Sequence, residues 1–269
     1  MSWVHSSQKL NCSIMIEFEK SYTIPVYDSD FNGRLSVFSL FNYIQDIASE
    51  HAELLHFGRG DLQRSNQFWI LSRLYAEIES FPLWGETVIL RTWPRGTEGL
   101  FAMREIEVLS QGGERVAGVA TSWVIVDSET RRPQRPDKLL ERMNLDYPEK
   151  RTTKRSAGKP DPVGQPYRDT EIFIVKPSDL DVNQHVNNVK YIQWVTDSFT
   201  VDFLSRHTPK TVEVSYLAES VEGDRIVVRS NEQSGENNCS LHTVIRVDDG
   251  RELCRILICW LQAPNQKVL

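Results

Sequence analysis

The feature that most constrains this fold is a pattern of one helix and several strands that the chain runs through twice. Each half has one amphipathic helix, whose apolar stripe comprises Leu40, Ile44, Ala48 and Leu55 in the first half and Val189, Ile192, Val195 and Phe199 in the second. The first helix is predicted to end at Gly58, because glycine commonly follows a helix C-terminus. Runs of β-branched and alternating residues precede and follow each helix, and they predict strands.

Short matches of sequence between the halves favour an internal duplication. "DFN" at Asp30–Asn32 corresponds to "DVN" at Asp181–Asn183, and "YIQ" at 43–45 corresponds to "YIQ" at 191–193. "AE" occurs at 76–77 and at 218–219, and in both halves a glycine followed by an acidic residue comes within about ten residues of it. Matches in the same order indicate that the two halves share one fold.

One long helix between a first strand and a run of antiparallel strands predicts a sheet wrapped around that helix, with the apolar stripe against the concave face. This is the hotdog arrangement. We therefore predict an α+β protein of two tandem hotdog domains (a double hotdog), residues 14–147 and 169–264. The segment 148–168 is basic, rich in proline and glycine and without apolar periodicity, so it is predicted to be a linker across the surface.

Composition limits the class of protein further. Of 269 residues 40% are apolar, enough for a sizeable core, and the net charge of −6 argues against a nucleic-acid-binding protein. Residues 1–13 resemble neither a signal nor a transit peptide, and no window approaches the length of a membrane span, so a cytoplasmic protein that does not enter the membrane is expected. The four cysteines form no CxxC pair and the histidines are scattered, which favours reduced, buried thiols and predicts neither a metal site nor a cofactor.

Residues 181–188, "DVNQHVNN", crowd polar side chains directly before the second helical stripe. Aspartate and asparagine are common helix caps and turn residues, but capping does not explain His185. A helix N-terminus also presents backbone N–H groups without an intrahelical partner, at the positive end of the helix dipole. This segment is therefore the first candidate for a functional site.

The same segment resembles the active-site segment of the acyl-acyl carrier protein thioesterases of plant plastids and bacteria. The run that carries the resemblance is "SDLDVNQHVNNVKYIQW", residues 178–194. "FWILSRLYAEIESFPLWGETVILRTW" and "TSWVIVDSETRRPQRP" are similar to landmarks in the first half of that family, so the resemblance extends over nearly the whole chain. It implies a double hotdog with one active site, which hydrolyses fatty acyl-acyl carrier protein and so terminates fatty acid synthesis.

By position, the resemblance assigns the catalytic roles to Asp181, Asn183, His185 and Glu219. Plant members of the family have a cysteine directly after the glutamate, whereas this chain has Ser220, so no cysteine nucleophile is available there. The first half has Arg34 where the second has His185. It is therefore expected to hold the acyl chain without an active site of its own.

Thioester hydrolysis needs a polarised carbonyl, an activated water and a proton route to the leaving thiolate. The backbone N–H groups of Val186, Asn187 and Asn188 are the expected oxyanion donors. The candidate bases are His185 and Glu219, the latter expected within an apolar strand, and the sequence leaves open which of them takes the proton. Asn183 is suited to orienting the water or His185. Asp181 either takes part in the chemistry or caps the helix.

Substrate and partner are less constrained than the reaction. A basic segment with Arg131, Arg132, Arg135 and Lys138 is a candidate docking face for the acidic carrier protein. An acyl-CoA thioesterase of the same fold is one alternative. A non-catalytic acyl-binding regulator is another, although that class should lack both His185 and Glu219. The chain is expected to act as a monomer or a homodimer.

Overall fold

The computed structural model describes residues 16–136, 147–233 and 238–262, so Cys12 and Lys138 lie outside the described residues. The first half contributes the strands β1 (Phe18–Thr23), β2 (Gln67–Ile78), β3 (Thr87–Glu98), β4 (Phe101–Ser110), β5 (Arg115–Asp127) and β6 (Pro133–Gln134). The second half contributes β7 (Arg168–Asp169), β8 (Phe173–Ile174), β9 (His207–Tyr216), β10 (Arg225–Gln233), β11 (Cys239–Arg246) and β12 (Arg251–Gln262). The α-helices of the described residues are α1 (Val37–Leu54), α2 (Arg59–Gln63), α3 (Asn188–Thr196) and α4 (Val201–Arg206).

All these strands belong to one antiparallel sheet in the order β1-β3-β4-β5-β2-β9-β12-β11-β10-β7, with β6 beside β5 and β8 beside β10. The two halves meet where β2 pairs with β9, with Arg73 opposite Ser215 and Glu77 opposite Thr211. Helices α1 and α3 contact each other, and residues of both belong to one hydrophobic core with the strands. The predicted α+β fold of two tandem hotdog domains is confirmed.

The apolar stripes locate both long helices, but not their ends. Helix α1 begins after Ser36, whose side chain accepts the N–H of Ser39 at 3.2 Å. It ends at Leu54 because His56 adopts a left-handed φ of 58°, with the N–H groups of His56 and Phe57 bonded to carbonyls of the last turn. Gly58, the predicted stop residue, instead precedes α2.

The two helix entrances are built alike, which supports the duplication. Asp30 Oδ1 accepts the N–H groups of Asn32 and Arg34 at 2.8 and 3.0 Å. Asp181 Oδ1 accepts those of Asn183 and His185 at 2.7 and 3.4 Å. The "DFN" and "DVN" segments are therefore structurally equivalent.

Two of the other matches in sequence are not equivalent in structure. Tyr43 lies thirteen residues after Asp30, and the residue thirteen after Asp181 is Trp194, so the two "YIQ" segments are three residues out of register. Ala76 lies within β2, whereas the second "AE" follows the end of β9. The duplication is therefore shown by the backbone hydrogen bonds at the two helix entrances. The "YIQ" and "AE" matches in sequence are coincidental.

The linker is tied to the outer face of the sheet in both halves. Thr152 donates from its N–H and its hydroxyl to Glu105 Oε2 on β4, at 3.0 and 2.9 Å. Arg155 makes a bidentate ion pair with Glu213 on β9, at 2.5 and 2.7 Å. Both carboxylates are buried. The linker therefore spans the junction of the halves as a packed strap.

The expectation of reduced cysteines is wrong for one pair. Cys239 and Cys259 lie directly opposite each other on β11 and β12 and form a disulfide. Cys254 remains a free, buried thiol, and burial raises its pKa well above the usual value of 9.0. Spacing in the sequence could not show this pairing, because it depends on the register of the hairpin.

Candidate active site

The entrance to α3 is organised by Asp181. Its carboxylate accepts the N–H groups of Asn183 and His185, and its own N–H donates to the carbonyl of His185 at 2.8 Å. The helix cap is Asn187, whose side chain accepts the N–H of Val189 at 3.0 Å. The suggestion that Asp181 caps the helix is therefore wrong. Its carboxylate shapes the loop that presents His185.

The three expected oxyanion donors are not equivalent. The N–H of Val186 donates to the carbonyl of Ser220 and that of Asn187 to the carbonyl of Asp179, each at 2.9 Å. The prediction is therefore wrong for these two residues, because their N–H groups are already used by the fold. The N–H of Asn188 has no acceptor among the described residues, and Asn188 lines the cavity described below.

Glu219 was expected on a strand, but it lies in the loop that follows β9. This loop brings its carboxylate to His185, with 3.6 Å between Glu219 Oε2 and His185 Nε2. The two side chains are 33% and 27% exposed. The separation of 3.6 Å is just beyond direct hydrogen-bonding distance and too short for a water between the two atoms, so a water could contact both groups only from beside them.

Arg131, expected on a docking face, lies in the active site instead. Its guanidinium forms an ion pair with Glu219 Oε2, and it packs over the ring of Phe68 with 5.1 Å between the guanidinium carbon and the ring centre. Arg131 has a left-handed φ of 57° in the turn after β5. All three arginines, Arg131, Arg132 and Arg135, are exposed, and of the three only Arg131 lines the cavity and contacts Glu219.

Ser220 has a structural role in this arrangement. It is fully buried, and its hydroxyl donates to Asp224 Oδ2 at 2.7 Å. Burial opposes ionisation of Asp224, but bonds from Ser220, from the Val221 N–H and from Arg246 together lower the pKa of its carboxyl. Because its proton is directed at Asp224, Ser220 is not poised as a nucleophile.

The corresponding place in the first half lacks both candidate bases. The carbonyl of Pro82 accepts the N–H of Leu35 at 2.8 Å, as the carbonyl of Ser220 accepts that of Val186. Phe81, the residue before Pro82, is therefore the counterpart of Glu219, and Arg34 is the counterpart of His185. Arg34 is paired with Asp30 at 3.4 Å. Only the second half has an imidazole facing a carboxylate at this place.

A cavity of about 1310 Å³ extends from His185 and Glu219 into the first half. Beside the site residues it is lined by aromatic and small side chains of both halves, among them Ala48, Ala52, Trp69, Trp123, Tyr191 and Tyr216. Burial raises the pKa of Tyr216 well above its usual value of 10.0, so its phenol stays protonated and donates to the carbonyl of Asn188 at 3.2 Å. The cavity is large enough for a long acyl chain.

Two residues of the first half that sequence reasoning missed also reach the entrance of α3. Gln45 on α1 donates through Nε2 to Asn187 Oδ1 at 3.3 Å, and Arg59 on α2 donates to the carbonyl of Val182 at 3.3 Å. Both line the cavity. No local signal in the sequence marks them, because each acts on a residue more than a hundred positions away.

Comparison with known proteins identifies the family. Residues 16–141 match the acyl-ACP thioesterase N-terminal domain and residues 167–262 match its C-terminal domain. The oleoyl-acyl carrier protein thioesterase 1 of Arabidopsis thaliana, a chloroplastic protein, is 27% identical over 93% of this chain and 77% of its own length. The chloroplastic palmitoyl-acyl carrier protein thioesterase of Gossypium hirsutum is 28% identical over 90% of this chain and 63% of its own length.

The crystal structure of an acyl-ACP thioesterase from Bacteroides thetaiotaomicron agrees with a TM-score of 0.79, at 26% identity over 91% of this chain and 98% of that one. Fold, site and sequence therefore define a double-hotdog thiolester hydrolase. The chain belongs to the acyl-ACP thioesterase family.

None of the helices within the described ranges is long and apolar enough to cross a membrane. In the same residues no group of three or more histidine, cysteine, aspartate or glutamate side chains is arranged to hold a metal ion.

Proposed function

We propose that this chain hydrolyses fatty acyl-acyl carrier protein to free fatty acid and carrier protein. The observation that carries the proposal is the meeting of His185, from the entrance of α3, with Glu219, from the loop after β9, at one end of a large cavity. The first half has arginine and phenylalanine at the equivalent positions. Membership of the acyl-ACP thioesterase family supports the same reaction.

In the proposed mechanism the thioester carbonyl lies at the N-terminus of α3, near the N–H of Asn188, which has no acceptor among the described residues, and a water hydrogen-bonded to His185 lies beside Glu219. The water oxygen attacks the carbonyl carbon, and its proton passes to His185, whose imidazolium Glu219 stabilises. The tetrahedral oxyanion then collapses, the carbon–sulfur bond breaks, and the thiolate takes the proton from His185. The nucleophile is water, and no acyl-enzyme forms.

The acyl chain is proposed to occupy the part of the cavity beside α1. This assigns acyl binding to the N-terminal domain, residues 14–147, and the chemistry to residues 169–264. The small side chains of Ala48 and Ala52 on α1, together with Trp69 and Trp123 on the strands, leave an apolar slot there. Which acyl length fits best depends on how these side chains pack around a bound chain.

Acyl carrier protein is proposed to dock beside the cavity through Arg132 and Arg135. Both arginines are exposed and follow within four residues of Arg131, which lines the cavity. Carrier proteins are strongly acidic, so a positive rim would speed their encounter with the enzyme. Free acyl-CoA, the alternative substrate, should gain less from this rim.

The test is an assay of the purified protein on acyl-carrier substrates of increasing chain length, with the matching acyl-CoA esters alongside. His185→Ala is expected to lower kcat by at least about a hundredfold, the lower range for loss of a general base. Arg34→Ala, the matched change in the first half, should leave kcat nearly intact. Similar losses from both variants would contradict a single active site.

The cellular location of the protein requires a separate experiment. A cytoplasmic location was expected, but the two plant relatives are chloroplastic and the Cys239–Cys259 disulfide is of a kind that reducing compartments do not favour. Fractionation of the source cells, with the redox state of the two cysteines measured in the same sample, decides between these locations.

A further inference from the structure

The entrance of α3 by itself supplies too few hydrogen-bond donors for a developing oxyanion. Acyl-transfer sites usually direct preorganised hydrogen-bond donors at the carbonyl oxygen, and loss of one such donor is costly. Of the three N–H groups at the entrance of α3, those of Val186 and Asn187 are bonded within the fold. This leaves the N–H of Asn188, so a second donor has to come from another element.

Gln45 on α1 is placed to be that donor. Its side chain lines the cavity and approaches the first turn of α3, where Nε2 donates to Asn187 Oδ1 at 3.3 Å. Asn187 Oδ1 also accepts the N–H of Val189, so this oxygen is an acceptor and Gln45 must turn its nitrogen toward it. The amide nitrogen carries two N–H groups, and the second has no acceptor among the described residues. Asn188 directly follows Asn187 and lines the same cavity as Gln45.

The arrangement exists on one side of the molecule only. Gln45 lies nine residues after Ser36, the cap of α1, and the residue nine after the cap Asn187 is Thr196. The hydroxyl of Thr196 donates back to its own helix, to the carbonyls of Ile192 and Gln193 at 2.9 and 2.8 Å. Gln45 therefore offers an amide donor at the helix entrance that contains His185. Its counterpart Thr196 offers no amide donor at the entrance that contains Arg34.

We propose that Gln45, a residue of the half without the catalytic base, is a catalytic residue whose amide N–H donates to the thioester oxygen together with the N–H of Asn188. This inference rests on the proposed function. When water attacks, the carbonyl π electrons move to oxygen, and the negative charge develops between these two donors. The water proton goes to His185. The oxyanion then re-forms the C=O bond as the carbon–sulfur bond breaks, and the departing thiolate keeps the electron pair of that bond and takes the proton from His185.

The test compares Gln45→Leu, which keeps the size of the side chain but removes both N–H groups, with Gln193→Leu. Gln193 lies on α3 outside the cavity lining and is the matched control. Gln45→Leu is expected to lower kcat on acyl-carrier substrate by about a hundredfold, as loss of one oxyanion donor does, with little change in KM. Gln193→Leu should keep both constants.

A spectroscopic measurement separates this role from a structural one. In a His185→Ala background, an acyl thioester with a carbon-13 carbonyl should show a lowered C=O stretching frequency when bound, and adding Gln45→Leu should return the band toward its position in free substrate. If Gln45 acted only by supporting Asn187, the band would not move. An enzyme that hydrolyses acyl-carrier substrate equally well with Gln45→Leu contradicts this inference alone, whereas a wild-type chain without hydrolysis contradicts the proposed function as well.

Discussion

At the scale of single residues, neighbours in the chain have opposite environments. Glu219 is a third exposed and lies 3.6 Å from His185 in the cavity lining, whereas Ser220 is fully buried and bonded to Asp224. Glu219 is therefore available to the substrate, whereas Ser220 stabilises the loop that positions Glu219. This division separates a mechanism that uses water from one that uses a serine nucleophile.

Glu219→Gln is expected to lower kcat by about a hundredfold or more, because glutamine keeps the shape of the side chain but cannot stabilise an imidazolium by its charge. Ser220→Ala should keep most of kcat and lower the free energy of unfolding by about 1 kcal/mol, since a buried hydrogen bond is lost. Steady-state kinetics and urea denaturation measure both. An acyl adduct on Ser220, detected by intact-protein mass after rapid quenching, would contradict the water mechanism.

The types of the site residues could be predicted from the sequence, but their partners could not. "DVNQHVNN" directs attention to His185 because an imidazole is unusual among capping residues. Nothing in that segment shows that the N–H of Val186 is bonded to Ser220 or that Asn187 meets Gln45, 142 positions away. The first contact depends on the fold of the second half, and the second forms only when the halves pack together with β2 beside β9, a pairing that no local pattern specifies.

At the scale of helices and strands, the second half of the sheet contains a buried titratable group away from the active site. His242 on β11 is hydrogen-bonded through Nδ1 to Ser230 and through Nε2 to Ser240, each at 2.8 Å. Burial, with the charge of Arg168 adding to it, lowers the pKa of His242 from 6.5 to about 3. The imidazole is therefore neutral in the folded protein throughout the neutral range.

This makes the second half sensitive to acid. Below pH 6.5 the unfolded chain binds a proton at His242 that the folded chain does not bind until about pH 3, so stability falls as pH decreases through this interval. Between pH of about 7 and 5 the wild type should lose about 2 kcal/mol more free energy of unfolding than His242→Gln does. Urea denaturation at both pH values measures this difference. Equal losses in the two proteins would show that His242 is protonated in the fold.

Periodicity predicted the helices and failed at their ends for a physical reason. Burial of one face repeats every 3.6 residues, so Ile44 and Ile192 had to point inward wherever the helices stopped. The end of α1 depends on the left-handed backbone of His56, a residue that carries no strong stop signal. After Phe57 the chain enters the short helix α2 at Gly58, and no apolar stripe predicts that helix.

At the scale of the whole molecule, the arginines after β5 affect two different steps. Arg131 contacts Glu219 inside the cavity, so Arg131→Gln should lower kcat roughly tenfold on both acyl-carrier and acyl-CoA substrates.

Arg132→Glu with Arg135→Glu should raise KM several-fold for acyl-carrier substrate only, most strongly at low salt, where charge attraction is least screened. Kinetics on both substrates at two salt concentrations measure these effects. An equal rise of KM on acyl-CoA would remove the docking role.

The seam between β2 and β9 limits how this chain could be recombined with its relatives. Exchanging the whole first half, in order to graft another acyl slot onto the same catalytic half, would also exchange Gln45, Arg59 and Arg131, which contact the catalytic loops across the seam. A graft confined to the slot-facing side chains of α1 and the strands beside it would leave those three contacts in place. The crossover points of a working chimera are therefore set by the side chains that reach across the seam, whatever the length of the linker between the halves.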